Sequence, residues 1–233
     1  MVIVCVSIDY PPLKADVWSV TLSELEQASD KKIMILNATA TLLSKKGVQS
    51  FSFENVAYEA GLSRQLVRYY YSDLNTLIAD LCDHLGKQYQ DILVSGILDL
   101  REVGRLKFFL DFFFDLAEGF PMPETLSAYD AMVACSVGSP QLKERMCENY
   151  KTLGQVIIHE LAIAHPNLKS ASCEELSFMF VSMMHAHWSF VASLGYSREH
   201  SKLARKAIDR LIESYLNDPD HAPAMDRPWS RAP

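Results

Sequence analysis

Residues 59–77 read "EAGLSRQLVRYYYSDLNTL", a glycine turn followed by a serine, two arginines and three consecutive tyrosines. The segments on either side decide how this stretch is read. In "SFENVAYEAG", Phe53, Val56, Ala57 and Ala60 recur at i, i+3, i+4 and i+7, the stripe of a short amphipathic helix, with Ser52 placed as its N-cap and Gly61 as its stop. Ser63 then stands where it would cap a further helix running to about Tyr71. Upstream, "DKKIMILNATATLLSKKG" repeats Ile33, Leu36, Ala40 and Leu43 at helical spacing, with Asp30 as the expected cap and Gly47 as the end. Three helices with a tight glycine turn between the second and third form a helix-turn-helix pattern.

Winding residues 63–71 at about 100° per residue turns Leu62, Val67 and Tyr71 toward the first two helices. Arg64, Gln65, Arg68 and Tyr69 share the opposite face. Such a face suits the reading of base edges. Arg donates a bidentate pair to guanine, Gln pairs with adenine, and Leu66 offers an apolar contact to a thymine methyl. The serine-capped helix starts at Ser52 and Ser63, together with the Tyr69 and Tyr70 hydroxyls, are donors of the kind that grip phosphates. Tyr71 is expected to pack inward and Tyr70 to sit at the edge.

Charge supports this placement. The whole chain carries a formal charge of −7, which by itself speaks against nucleic acid. Residues 31–77 nevertheless hold six Lys/Arg against three acids, whereas the blocks before and after are both net acidic. A local basic face is what phosphate binding needs.

The rest of the chain reads as helix. Residues 74–96, 105–118, 124–136, 140–164, 174–194 and 199–216 each carry helical periodicity, punctuated by "GFPMP", "VGSP" and "HPN". Ser139 followed by Pro140 marks a helix start, and residue 164 precedes the "HPN" stop. The segment "EELSFMFVSMMHAHWSFVASL" is apolar almost all round, so it needs cover on two sides. One side meets its own core and the other a second copy of the chain, which makes the last two helices a homodimer interface. On the last helix, Leu203, Ala207, Ile208, Leu211 and Tyr215 are expected on one face and Arg205, Lys206, Asp209, Arg210 and Glu213 on another. The fold class is therefore all-α, with about nine helices. Residues 1–29 form an extension without a clear pattern, 30–77 a DNA-binding domain, 78–217 a ligand-binding and dimerisation domain, and 218–233 a proline-rich tail expected to be disordered.

The stretch from Ile35 to Leu77 resembles the N-terminal domain of the tetracycline-repressor (TetR) family. The alanine- and leucine-rich first helix, Gly47, Ser52 followed by "ENVA", "EAGLS", the aromatic pair that follows and Leu77 carry the likeness. The resemblance implies a dimer that places two recognition helices in successive major grooves of a near-palindromic double-stranded operator, about 34–36 Å apart. It also implies a small effector in the larger domain, and repression as the usual outcome. Two positions depart from the family pattern. Arg68 stands where Tyr is usual, and Leu74 where a phosphate-contacting Lys is usual.

An aromatic run, "RLKFFLDFFFDLAEGF", supplies Phe112 and Phe113 to a candidate effector pocket with Tyr129, Met132, Tyr150, Met183, His187 and Trp188. That composition suits an apolar or aromatic ligand. His185 and His187 lie two apart, about 200° around a helix, and cannot chelate one ion together. No metal and no cofactor is expected. Five cysteines without a CxxC pair suggest buried thiols. No GxSxG, HExxH, P-loop or GxGxxG pattern supports catalysis. Glu174 and Glu175 read as a helix start stabilised by its dipole. No apolar run approaches the roughly 18 residues of a membrane span, and the opening residues lack the basic leader of a signal peptide, so a cytoplasmic protein is expected. The alternative reading is an all-α ligand sensor or enzyme whose helix-turn-helix no longer binds DNA, and a third is a protein whose fold serves dimerisation only.

Overall fold

The computed structural model describes residues 22–98, 100, 102–218 and 222–230, and among these the regular structure is entirely helical. Nine α-helices follow one another: α1 (Leu22–Lys46), α2 (Phe53–Ala60), α3 (Arg64–Tyr70), α4 (Leu74–Ile97), α5 (Glu102–Phe112), α6 (Ser127–Ser136), α7 (Pro140–Ala164), α8 (Ser170–Trp188) and α9 (Arg198–Leu216). Side-chain caps set several starts. Ser52 Oγ accepts from the Asn55 N–H at 3.2 Å, Ser63 Oγ from Leu66 at 3.1 Å, Asp73 Oδ1 from Thr76 at 2.8 Å and Ser139 Oγ from Leu142 at 3.4 Å. Each satisfies an N–H that the first turn cannot pair internally. Gly61 ends α2 at φ 65°, a left-handed conformation that costs glycine nothing.

The first three helices wrap Ile35, Leu42, Leu43, Val56, Val67 and Tyr71 into a small core, which continues through Leu77, Ile78 and Leu81 of α4 into the larger bundle. In that bundle α7 packs on α4, α5 and α8, and α9 lies against α8. α4 therefore belongs to both parts, and α1 also packs on α6.

Four helices, α1, α5, α6 and α8, have boundaries that differ from the sequence expectation. α1 already runs at Leu22, so Asp30 lies in its interior and is not its cap. The expected boundary at residue 30 falls inside a helix, because "LSELEQASD" has good helix formers but no apolar stripe to mark it. Residues 1–21 of the proposed extension lie outside the described residues. α5 stops at Phe112 instead of 118, and Phe113–Asp115 fold into a turn in which Asp115 adopts φ 54°. α6 begins at Ser127 instead of 124. α8 begins at Ser170 instead of 174 and passes at Ser189–Ser193 into a π-helical turn, where the Ser189 and Ser193 hydroxyls donate to the Asp130 carboxylate.

The tail is the larger correction. Residues 222–230 fold back onto α7 and α8, whereas the composition suggested disorder; residues 219–221 and 231–233 lie outside the described set. The Trp229 ring meets Phe178 edge-on at 5.3 Å and lies directly over Gly154, where a Cβ would sit 2.2 Å from the indole Cζ2. Glu175, buried on α8, accepts from the Ala224 and Met225 N–H groups and from the Tyr215 hydroxyl, the last at 3.1 Å. Its role is thus to anchor the tail, and it lies in the second turn of α8, away from the helix start. On α9, Leu203 is 63% exposed while Arg205 is buried between Asp111 (2.9 Å) and Asp209. The rest of the expected apolar face of α9 packs as read: Ile208 is buried, and Leu211 and Tyr215 lie against the core. Ile208 and Ile212 make its buried contacts.

Candidate nucleic-acid interface and effector cavity

α3 is held from beneath by Val67 and from its C-terminal end by Tyr71, both fully buried. Burial, reinforced by the nearby Asp80 carboxylate, pushes the Tyr71 phenol well above its ordinary range. Arg64, Gln65 and Arg68 are exposed, Tyr69 is 81% exposed, and Leu66 and Tyr70 are half-buried. The Tyr69 and Tyr70 rings meet edge to face at 5.4 Å. The one face therefore presents two guanidinium groups, an amide and a phenol, and all eight residues singled out from the sequence, Ser52 and Ser63 included, lie on α2, α3 or their caps.

The two departures from the family pattern have structural consequences. The Arg68 guanidinium lies over the Phe53 ring at 5.2 Å, so it is held against α2 by a cation–π contact. Leu74 is half-buried and packs against the core. The start of α4 instead presents Asp73, whose carboxyl is lowered by the Thr76 N–H, the Thr76 hydroxyl and the Ser72 hydroxyl. An exposed aromatic that the apolar stripe of α2 did not reveal is Tyr58, 82% accessible and off that stripe.

The larger bundle holds a partly open cavity of about 520 Å³ between α4, α5, α7 and α8. Of the eight side chains expected there, Phe113, Tyr129, Tyr150 and Trp188 line it. The other four do not. Phe112 and Met132 are fully buried in the packed core, Met183 is among the exposed apolar residues of α8, and His187 meets Ser201 Oγ at 3.1 Å and the Phe114 ring. Tyr89 stacks on Trp188 at 5.7 Å and meets Tyr129 edge-on, so the deep wall is aromatic. Trp188 donates its indole N–H to the Phe113 carbonyl at 2.8 Å. Tyr150 pairs with His185 Nδ1 at 2.7 Å, and burial holds that imidazole below its ordinary range.

Sequence reasoning missed the polar lining. Arg105, on α5, and Glu160, on α7, meet across the cavity with Arg105 Nη2 2.7 Å from Glu160 Oε1, and Gln90, Asn149 and His159 also line it. Glu160 is one of three acids on α7, with Glu144 and Glu148, and no motif signals it. Its position four residues beyond Val156 and seven beyond Leu153, on the apolar side of the helix, was the available cue. Cys82 also lines the cavity, and burial pushes its thiol up to about 11.

A second apolar surface lies outside. Phe178, Met183, Phe190 and Leu194 along α8 and its extension, and Leu203 on α9, are all more than a third exposed. No group of three or more His, Cys, Asp or Glu suited to a metal occurs among the described residues.

No protein-family model matches the sequence, and no curated protein does. Solved structures do match. A TetR transcription regulator from Haloarcula marismortui superposes with a TM-score of 0.67 at 19% identity, over 80% of this chain and 98% of its own. A structure described as a transcriptional regulator of Saccharomonospora viridis in complex with choline gives 0.66 at 16% identity, over 79% and 96%. A multidrug binding protein complexed with imidazole gives 0.53 at 17%, over 78% and 94%. The fold is that of the TetR-family regulators. In this chain α4 contributes both to the core beneath α2 and α3 and to the wall of the cavity.

Proposed function

We propose that this chain is a ligand-responsive, DNA-binding transcription regulator that acts as a repressor. In this reading it binds a near-palindromic operator as a homodimer, with one α3 in each of two successive major grooves. The observation that carries it is the face of α3: Arg64, Gln65, Arg68 and Tyr69 exposed together on a helix capped by Ser63 and backed by buried Val67. Arg64 and Gln65 read base edges, Leu66 touches a thymine methyl, and Ser52, Ser63, Tyr69 and Tyr70 fix register on phosphates. The exposed apolar residues of α8 and α9 support a second copy of the chain as the partner on that surface. An apolar or aromatic effector occupies the cavity against Phe113, Tyr129, Tyr150 and Trp188. The choline and imidazole in the complexes of two fold relatives support a small ligand. No described helix is long and apolar enough to cross a membrane, and the protein acts in the cytoplasm with no catalytic step of its own.

The test is a fluorescence-anisotropy titration against DNA fragments flanking the chain's own gene at several salt concentrations. Salt-sensitive, sequence-selective binding is expected, and Arg64→Ala should reduce discrimination while leaving dimerisation intact. Binding that is absent from every fragment, or indifferent to sequence, refutes the proposal.

A further inference from the structure

The tail segment 222–230 and the cavity share about two turns of α7. Gly154 carries the Trp229 ring, Leu153 and Val156 line the cavity, and Tyr150 and Gln155 line both the cavity and the groove beneath the tail. No side chain cushions the contact, since a Cβ at Gly154 would lie 2.2 Å from Trp229 Cζ2 and 2.4 Å from Cε2. The indole rests on the α7 backbone itself, and the Gly154 carbonyl accepts from Ser177 Oγ of α8 at 2.7 Å. A shift of α7 at this point therefore moves the seat of the indole directly. Docking is also close to balance. It gains from the Phe178 contact, from buried Pro228 and from the Ala224 and Met225 N–H groups given to Glu175. Against it, Arg227 holds φ 51°, uncommon for a residue with a Cβ, and Trp229 Nε1 is buried without an acceptor. A segment with such offsetting contributions opens at a cost well below that of unfolding the bundle. Resting on the effector-cavity reading above, we propose that residues 222–230 are a strap whose docking on α7 and α8 and the filling of the cavity favour one another.

The direction of the coupling follows from which states occur together. One conformation holds both the docked tail and the open cavity, and the turns that seat Trp229 are those that set Tyr150, Leu153 and Val156 in the cavity wall. A glycine inside a helix leaves those turns freer than their neighbours, and the docked ring fills the space a side chain would take. Release of the tail removes that support, and a ligand must then order the wall at its own expense. A ligand that needs the wall in place binds the docked state more tightly, and by linkage it holds the tail down to the same degree. The strap also reaches the outer surface. Glu175, which holds the tail, receives the Tyr215 hydroxyl of α9, and Phe178, against which Trp229 packs, belongs to the exposed apolar surface of α8.

Two measurements on the full chain test this, with the neutral dye Nile red as the probe of the cavity. Hydrogen–deuterium exchange read by mass spectrometry follows the tail, where the Ala224 and Met225 amides are held by Glu175. Saturating Nile red should slow exchange in the peptide spanning residues 222–230. Fluorescence titration follows the cavity. Trp229→Ala, and Gly154→Ala from the other side of the same contact, should each raise the Nile red Kd, the former by at least about fivefold. Linkage requires the factor by which the dye slows tail exchange to match the factor by which Trp229→Ala weakens dye binding. Tail exchange that the dye leaves unchanged or speeds overturns the proposal, as does a Kd that neither substitution raises. Val94, 53% exposed, lines the cavity, and Val94→Trp should block dye binding. If the unaltered chain does not bind Nile red, or Val94→Trp binds it equally well, the effector-cavity reading falls and this inference with it. If the dye binds, Val94→Trp blocks it and the tail does not respond, the cavity stands and the strap is refuted.

Discussion

Replacing Gly154 by alanine should change stability in opposite directions depending on whether Trp229 is present. Gly154 sits in the interior of α7, where glycine costs about 0.5–1 kcal/mol relative to alanine. Taken alone, the substitution should stabilise. A Cβ at this position, however, would lie 2.2 Å from Trp229 Cζ2 and 2.4 Å from Cε2, far inside van der Waals contact with a rigid ring. The indole must be displaced from Gly154 and Phe178, an overpacking of about 1–3 kcal/mol. In the unaltered chain the two effects sum to a loss of up to about 2 kcal/mol. In a Trp229→Ala background only the gain survives. The Tm shift caused by Gly154→Ala should therefore differ between the two backgrounds by the overpacking term, roughly 2–12 °C for a chain of this size. Circular-dichroism melts of the four proteins of the cycle, at one fixed chain concentration, measure it. If Gly154→Ala shifts Tm equally in both backgrounds, the tail does not rest on α7 and the reasoning fails.

Removing the Ser63 cap by Ser63→Ala should cost about 0.5–2 kcal/mol, read as a lowered Tm, because the Leu66 N–H loses its acceptor at the exposed start of α3. Arg68→Ala removes the stacking on Phe53 as well as a charge, so it should weaken DNA binding and lower Tm slightly, whereas Arg64→Ala should leave Tm unchanged; equal melting of the two variants would contradict the Arg68 packing. Burial keeps His185 neutral in the native state, while the unfolded chain takes up a proton near 6.5, so acidification from pH 7 toward 5 should lower Tm. That loss should shrink in His185→Gln. Cys82, with its thiol pushed up to about 11, should react with iodoacetamide at pH 7.5 far more slowly than a model thiol; rapid labelling of Cys82 in the folded protein would contradict its burial.

Helices with chemical marks at both ends were the most legible in the sequence. Residues 140–164 came out to the residue because Ser139, Pro140 and the "HPN" stop each fix a backbone state locally. α2 and α3 were legible for the same reason, through Ser52, Gly61 and Ser63. α1 was not, since its first turns carry neither a cap at Asp30 nor an apolar stripe. The end of α5 was hidden in a run of phenylalanines, where no polar residue distinguishes helix from turn. Which side chains of α3 are exposed depended only on position around one short helix, so periodicity sufficed. The cavity depended on which of several apolar faces meet, which is tertiary information. Phe112 and Met132 went into packing while Arg105 and Glu160, far apart in sequence, came together. The tail shows the same limit. Four prolines suggest disorder, but the order of residues 222–230 comes from a glycine on another helix that makes room for Trp229.

The placement of the indoles gives the molecule two optical reporters in separate places. Trp188 forms part of the cavity wall, stacked on Tyr89, so its emission should respond to whatever enters the cavity. Trp229 sits on the outer side of α7, and its emission should respond to release of the tail. Replacing Trp18 and one of these two by phenylalanine leaves a single emitter in each variant. Cavity occupancy and tail docking can then be followed as separate signals, without a label, and their order in time after mixing becomes measurable.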